Sequence, residues 1–240
     1  MLQGLLKPKP FSALFAWMML KLVGLAARFL IGLRTCGLEH IPPKGPFLIS
    51  PNHQSYLDVF VMLATLRFKT FRQIFFVGAS EYFATPLRMW FAARFNVVPV
   101  DPDANLVRAR QAGAFGLRHG KVLVLFPEGE RSPDGEVRKF KKGAAILSIQ
   151  VGVPIVPAAI EGVFEVWPRN RPFNWRSLLP GSGTRARIQF GAPLSPDLIA
   201  DVRPTDPYTQ MTERFREIVA RMWTTLHEER LLGSHPMPLT

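Results

Sequence analysis

The chain has 240 residues, 48% of them hydrophobic and 20% charged, and 30 Lys and Arg against 18 Asp and Glu give a formal net charge of +12. This balance fits one large globular domain and excludes both intrinsic disorder and a bundle of membrane spans. The one cysteine, Cys36, leaves no intrachain disulfide and gives no sign of an oxidising compartment. The charge is uneven. Residues 1–50, 67–94 and 162–190 are rich in base, whereas 197–232 are slightly acidic, so part of the surface calls for an anionic partner. Nucleic acid has only that charge in its favour, since there is no zinc-finger spacing, repeat or RNA-recognition signature.

Phe11 to Leu33 is nearly all apolar, broken only by Ser12, Lys21 and Arg28. A spanning helix needs roughly 18 or more uncharged residues, whereas the longest uncharged run in this segment is the ten from Phe11 to Leu20. Lys21 and Arg28 lie seven apart and therefore share a helical face. The segment reads as a helix lying in the headgroup region, with that basic stripe toward lipid phosphates and Leu14, Phe15, Trp17 and Leu22 toward acyl chains. A single span, or a helix packed on the domain, are the alternatives. The two charges and the lack of a small-residue cleavage site argue against a signal peptide.

Beyond Pro42 and Pro43 the texture changes. Phe47 to Ser50, Ile74 to Val77, Val97 to Val100, Val122 to Phe126, Ile155 to Ala159 and Ala186 to Phe190 read as strands, being short, β-branched or aromatic, and bounded by Gly or Pro. Leu57 to Phe68, Pro86 to Arg94, Leu106 to His119 and Phe140 to Gln150 read as helices between them. The alternation predicts an α/β fold, a mostly parallel sheet flanked by helices, behind an N-terminal membrane-associating helix. Tyr208 to Leu231 reads as a docked amphipathic helix, with Phe215, Ile218, Val219 and Met222 on its apolar face. The implied divisions are 1–34, 35–200 and 201–240.

Ligands of such sheets bind beyond the carboxyl ends of the strands, which singles out two loops. The first reads Pro51-Asn52-His53-Gln54-Ser55-Tyr56-Leu57-Asp58. With Ser55 as helix cap, Asp58 falls at the third helical position of a capping box. A carboxylate there can take the proton of one ring nitrogen of His53 and leave the other as general base toward a hydroxyl. Alternatively Asp58 only caps and His53 only closes a turn. The second loop, Phe126-Pro127-Glu128-Gly129-Glu130-Arg131-Ser132, leads to Arg138, Lys139, Lys141 and Lys142. Its small residues bring backbone N–H groups to an anion, and Arg131 offers a forked pair of donors to phosphate. Glu128 either orients Arg131 or holds a substrate hydroxyl, and the four later bases also fit a solvated helix start.

Together these blocks resemble the glycerophospholipid acyltransferases related to 1-acylglycerol-3-phosphate acyltransferase. His53 and Asp58 match the family's histidine, four-residue gap, aspartate motif. Phe126-Pro127-Glu128-Gly129 with Arg131-Ser132 matches its phosphate-binding motif, Asn96 to Asp101 its second block, and Val153 to Pro157 its closing block. The likeness covers about residues 35 to 195. It implies that His53, fixed by Asp58, deprotonates a glycerol hydroxyl, which attacks the thioester of acyl-CoA or acyl-carrier protein directly. It further implies that Glu128, Gly129, Arg131 and Ser132 hold the lysophospholipid acceptor. Pro102 stands where many relatives carry a phosphate-binding arginine, leaving Arg94, Arg108 or Arg131 to serve, and Asn96 and Glu130 also depart from the common pattern. The Val-Asp-Pro version also resembles acyltransferase domains found next to acyl-activating domains, some of which act on lysophosphatidylethanolamine, so that acceptor stays open, as does a lipid-binding module without catalysis.

Without a cluster of histidine and cysteine no metal is expected, nor any cofactor, and the uneven charge with the basic N-terminal helix points to an anionic membrane surface, on the cytoplasmic face of the inner or plasma membrane. Cys36, with no motif around it, is a poor rival nucleophile. His40, His119, His227 and His235 lack metal-ligand spacing and read as solvent or helix-end residues. Trp167 to Arg176 alternates aromatics and bases, as loops at a bilayer surface do, though an ordinary surface loop fits almost as well.

Overall fold

The computed structural model describes residues 2–6, 10–79, 85, 96–100, 106–179, 181–199 and 206–232. Seven strands form one sheet: β1 (Arg34–Cys36), β2 (Phe47–Pro51), β3 (Ile74–Ala79), β4 (Val97–Val100), β5 (Val122–Val124), β6 (Ile155–Glu161) and β7 (Arg187–Phe190). Their spatial order is β1-β7-β6-β2-β5-β3-β4. The pairs from β6 through β4 are all parallel, β7 runs antiparallel to β6, and β1 runs parallel to β7. The α/β reading holds, with the two strands at one edge reversed.

The helices are α1 (Pro10–Leu30), α2 (Asp58–Thr65), α3 (Phe68–Phe71), α4 (Leu106–Arg118), α5 (Gly143–Val151) and α6 (Pro207–Leu231). They cover both faces of the sheet. Strand side chains alternate between the faces, so Phe47 and Ile49 join one core with α1, α2 and α3, while Leu48 joins the other with α4, α5 and α6. In α4, Gly116 lies so close to the sheet that a Cβ would meet the Phe75 ring at 2.2 Å. Asp206 caps α6 by accepting from Tyr208 and Thr209 N–H, and Pro207 opens the helix.

Three expectations are corrected. The helix expected over Leu57 to Phe68 breaks after Thr65 because its end is capped by α1: Ala64 O accepts from Lys21 Nζ at 2.7 Å and Leu66 O from Trp17 Nε1 at 3.1 Å. Lys21 and Trp17 therefore face the domain, not lipid, on the same stripe as the buried Leu20, Ala27 and Ile31. Burial and the charge of Arg28 lower the pKa of Lys21. The outward face of α1 is apolar, with Phe11, Phe15, Met18, Leu22 and Phe29 all exposed. The helix is long and apolar enough to cross a membrane, yet it lies along α2, where Gly24 permits close approach to Ala64. The strand expected over Val122 to Phe126 ends at Val124. The helix expected over Pro86 to Arg94 lies outside the described residues.

Candidate active site

β2 and β5 end side by side and launch the two loops. Asn52, fully buried, fixes the first by exchanging hydrogen bonds with the backbone of Ile160 on β6, donating from Nδ2 at 3.0 Å and accepting at Oδ1 at 2.7 Å. The next residue is thus set at the carboxyl-end rim of the sheet. There Nδ1 of His53 donates to Oδ2 of Asp58 at 2.7 Å. The same oxygen accepts from Gln54 N–H at 2.6 Å and Ser55 N–H at 2.8 Å. An oxygen that already accepts two backbone hydrogens takes a third from the ring, so this network assigns the proton to Nδ1 and the lone pair to Nε2.

The expected capping box is half made. Asp58 reaches back to Ser55 N–H, but the Ser55 hydroxyl accepts from Leu57 N–H at 3.2 Å and donates to Trp167 O at 2.8 Å. Asp58 is consequently the first helical residue rather than the third, and its carboxylate serves the histidine loop as much as the helix.

The second loop closes on the first. The Phe126 ring stacks on the His53 imidazole with centroids 3.9 Å apart, and Ser132 N–H donates to His53 O at 2.7 Å. Glu128, 4% exposed, accepts from His53 N–H at 3.0 Å. Its carboxyl is pushed up to about 7 by burial, with a smaller contribution from the Asp58 charge, against the pull of the His53 and Arg138 N–H groups. Gly129 sits at φ +79°, a conformation that favours glycine in this tight turn, and the flexible end of Lys141 lies over it. Ser132 is buried, and its hydroxyl donates to Asp134 and accepts from Gly135 N–H, which closes the turn.

Arg131 lies flat over the Tyr56 ring, its guanidinium carbon 3.7 Å from the centroid, and Tyr56 in turn packs on Trp167. The stacking holds a planar donor fork beside the histidine loop. Arg131 Nε and Glu128 Oε2 are buried polar atoms with no protein partner. Of the three candidate phosphate ligands, Arg131 is placed beside the histidine loop. Arg108 is exposed on α4, on the sheet's opposite face from α1, and Arg94 and Pro102 lie outside the described residues. The bases that follow are partly neutralised, Arg138 by Asp134 and Lys142 by Asp206. Trp167 reads in the sequence as part of an aromatic and basic surface loop, and no sequence signal joins it to Tyr56 and Ser55 more than a hundred residues earlier.

Cys36 is on β1, three strands from β2, and burial raises its thiol pKa. His119 bonds the Phe115 carbonyl at the end of α4, whereas His227 pairs with Glu161, a partner its sequence neighbours did not suggest.

A histidine fixed by a buried carboxylate at the rim of a mostly parallel sheet, facing an arginine-bearing loop, defines an α/β protein with a His-Asp pair beside a candidate anion loop. The chain belongs to the Acyltransferase family, whose model matches residues 32–161. It is similar to a chloroplastic 1-acyl-sn-glycerol-3-phosphate acyltransferase of Arabidopsis thaliana, 32% identical over 55% of this chain and 36% of the plant protein. The mouse 1-acyl-sn-glycerol-3-phosphate acyltransferase alpha is 28% identical over 83% of this chain and 70% of its own length. The chain thus spans little more than a third of the plant relative. In fold it resembles the crystal structure of the 1-acyl-sn-glycerophosphate acyltransferase PlsC of Thermotoga maritima, with a TM-score of 0.71 and 24% identity, covering 94% of this chain and 86% of that one.

Proposed function

We propose that this chain is an O-acyltransferase that moves a fatty acyl group from acyl-CoA or acyl-carrier protein to the free hydroxyl of 1-acylglycerol-3-phosphate. The observation that carries the reading is the His53-Asp58 pair with Arg131 held beside its loop. Nε2 of His53 takes the hydroxyl proton as the oxygen attacks the thioester carbonyl. Asp58 stabilises the imidazolium that forms, and the tetrahedral intermediate then expels the thiolate, which recovers the proton from Nε2. No acyl-enzyme is needed. Arg131 receives the acceptor phosphate, Gly129 lets the backbone approach it, and Ser132 and Glu128 hold the loop around it. The partnerless Arg131 Nε and Glu128 Oε2 support an acceptor bearing both phosphate and hydroxyl. Lysophosphatidylethanolamine, less anionic, is the second acceptor to test, because Pro102 stands where relatives carry an arginine.

The protein works from the membrane surface, on the cytoplasmic face, with 1–34 as anchor, 35–200 as the acyl-transfer domain and 201–240 as a docked helix and tail. The exposed apolar face of α1 supports a helix seated in the interface. Incubation with labelled acyl-CoA or acyl-carrier protein and a panel of lysophospholipids tests the reading. Phosphatidic acid is the expected product from 1-acylglycerol-3-phosphate. No transfer to any acceptor from either donor would reduce the chain to a lipid-binding module.

A further inference from the structure

A second cationic site lies at the same rim of the sheet. Because β1 and β7 run opposite to β6, they begin where β6 and β2 end, so Arg34 and Arg187 stand side by side at the carboxyl-end rim. Three strand spacings separate β1 from β2, about 14 Å at ~4.8 Å each, which sets this place apart from His53. A cleft of about 390 Å³ opens there between the last turn of α1 and the segment 181–185 that leads into β7. Arg34, Arg185 and Arg187 line it together with Thr184. Arg187 is neutralised by Glu229, whereas the side chains of Arg34 and Arg185 have no partner among the described residues. Gly181 and Gly183, both at positive φ, border open space in this loop. The other wall is apolar: Phe29 is 82% exposed, and Leu30 and Leu179 are exposed beside it.

Two free guanidinium groups with an exposed apolar wall are complementary to a phosphate that carries hydrocarbon chains. We infer that this cleft seats the phosphate of an intact anionic phospholipid of the bilayer, with Arg34 and Arg185 on the phosphate and the acyl chains along Phe29, Leu30 and Leu179. The inference rests on the reading of α1 as an interfacial helix, and it gives that helix a fixed depth and azimuth. A bound bilayer lipid here keeps the rim facing the membrane while His53 turns over a different molecule.

The test is vesicle flotation of the full chain on phosphatidylcholine alone and on phosphatidylcholine with 30% phosphatidylglycerol, at fixed ionic strength, which reads binding independently of acyl transfer. The wild type is expected to prefer the anionic vesicles, and the R34E/R185E variant to lose about tenfold or more of that preference. R34Q/R185Q, which removes the charges without reversing them, should fall between them, with melting temperatures confirming that both variants fold. R110E/R118E on α4, at two exposed arginines, is the matched double charge reversal elsewhere and should change little. Equal partitioning of wild type and R34E/R185E would overturn the inference, as would an equal loss in R110E/R118E or indifference of the wild type to lipid charge. Displacement of the wild type from vesicles by millimolar inorganic phosphate, with choline phosphate equally effective, would assign the cleft to a free anion and overturn the lipid assignment.

Discussion

Replacing Asp58 by Asn tests the core of the proposed chemistry with the smallest change of shape. The Asn amide oxygen is expected to take the place of Oδ2, because Gln54 N–H, Ser55 N–H and His53 Nδ1–H all point there. That orientation preserves the ring tautomer and removes only the charge. It also sets an NH2 group where Oδ1 now lies buried without a partner, at about 1–3 kcal/mol of stability. The catalytic loss is larger than a neutral hydrogen bond. A hydrogen bond to a charged group contributes about 1.5–3 kcal/mol, and an ion pair some 4 Å apart at an effective dielectric of 20 gains about 4 kcal/mol. Together these bracket a loss near 3 kcal/mol when the imidazolium forms, on the order of 10² to 10³ in kcat. The assay is thiol release from acyl-CoA with saturating 1-acylglycerol-3-phosphate, run well below the variant's melting temperature. KM should change less than twofold, since Asp58 touches no substrate. A folded D58N enzyme retaining more than a third of wild-type kcat would refute the assigned role of the pair.

Three further outcomes are expected. Glu128 titrates near 4.5 when unfolded and about 7 when folded, so the folded state holds the extra proton and loses about 3 kcal/mol as pH rises from 4.5 through 7. Denaturant unfolding at pH 5 and pH 8 should show this fall in the wild type and a flatter line in E128Q, and parallel lines would contradict the assignment. Gly116→Ala gains helix propensity but drives a methyl into the buried Phe75 ring, so overpacking of about 1–3 kcal/mol should lower the unfolding midpoint; a raised midpoint would show that propensity wins. Tyr56→Leu removes the surface under Arg131, and it should raise KM for 1-acylglycerol-3-phosphate by roughly 3- to 10-fold with little change in kcat, reflecting a lost stacking contact of about 1 kcal/mol.

What the sequence disclosed depended on range. The His53 and Asp58 spacing is local, and one turn at a strand end suffices to bring the two side chains together. The hydrogen bond from His53 N–H to Glu128 spans 75 residues and follows only from β2 lying beside β5. β1 escaped notice because three residues carry no periodicity, and its pairing with β7 is decided at the far end of the chain. The reversal of β7 was hidden for the same reason, since an alternating apolar run looks alike in both directions. In α1 the seven-residue spacing of Lys21 and Arg28 gave no direction. The Ala64 carbonyl at the end of α2 accepts from Lys21, a contact that only the folded chain brings together.

The docking of α1 on α2 has a practical side. α2 is eight residues long, about 12 Å; its far end is held by Lys21 and Trp17, and its first residue is Asp58. Cutting away the first 33 residues to make the protein easier to handle would strip Leu20, Ala27 and Ile31 from the core and loosen the helix that begins with Asp58. A soluble, working enzyme is better sought by leaving that inner stripe intact and turning the outer one hydrophilic, at Phe11, Phe15, Met18, Leu22 and Phe29. The inner side of α1 is a strut for the helix that carries Asp58, and in the proposed function its outer side alone serves as anchor.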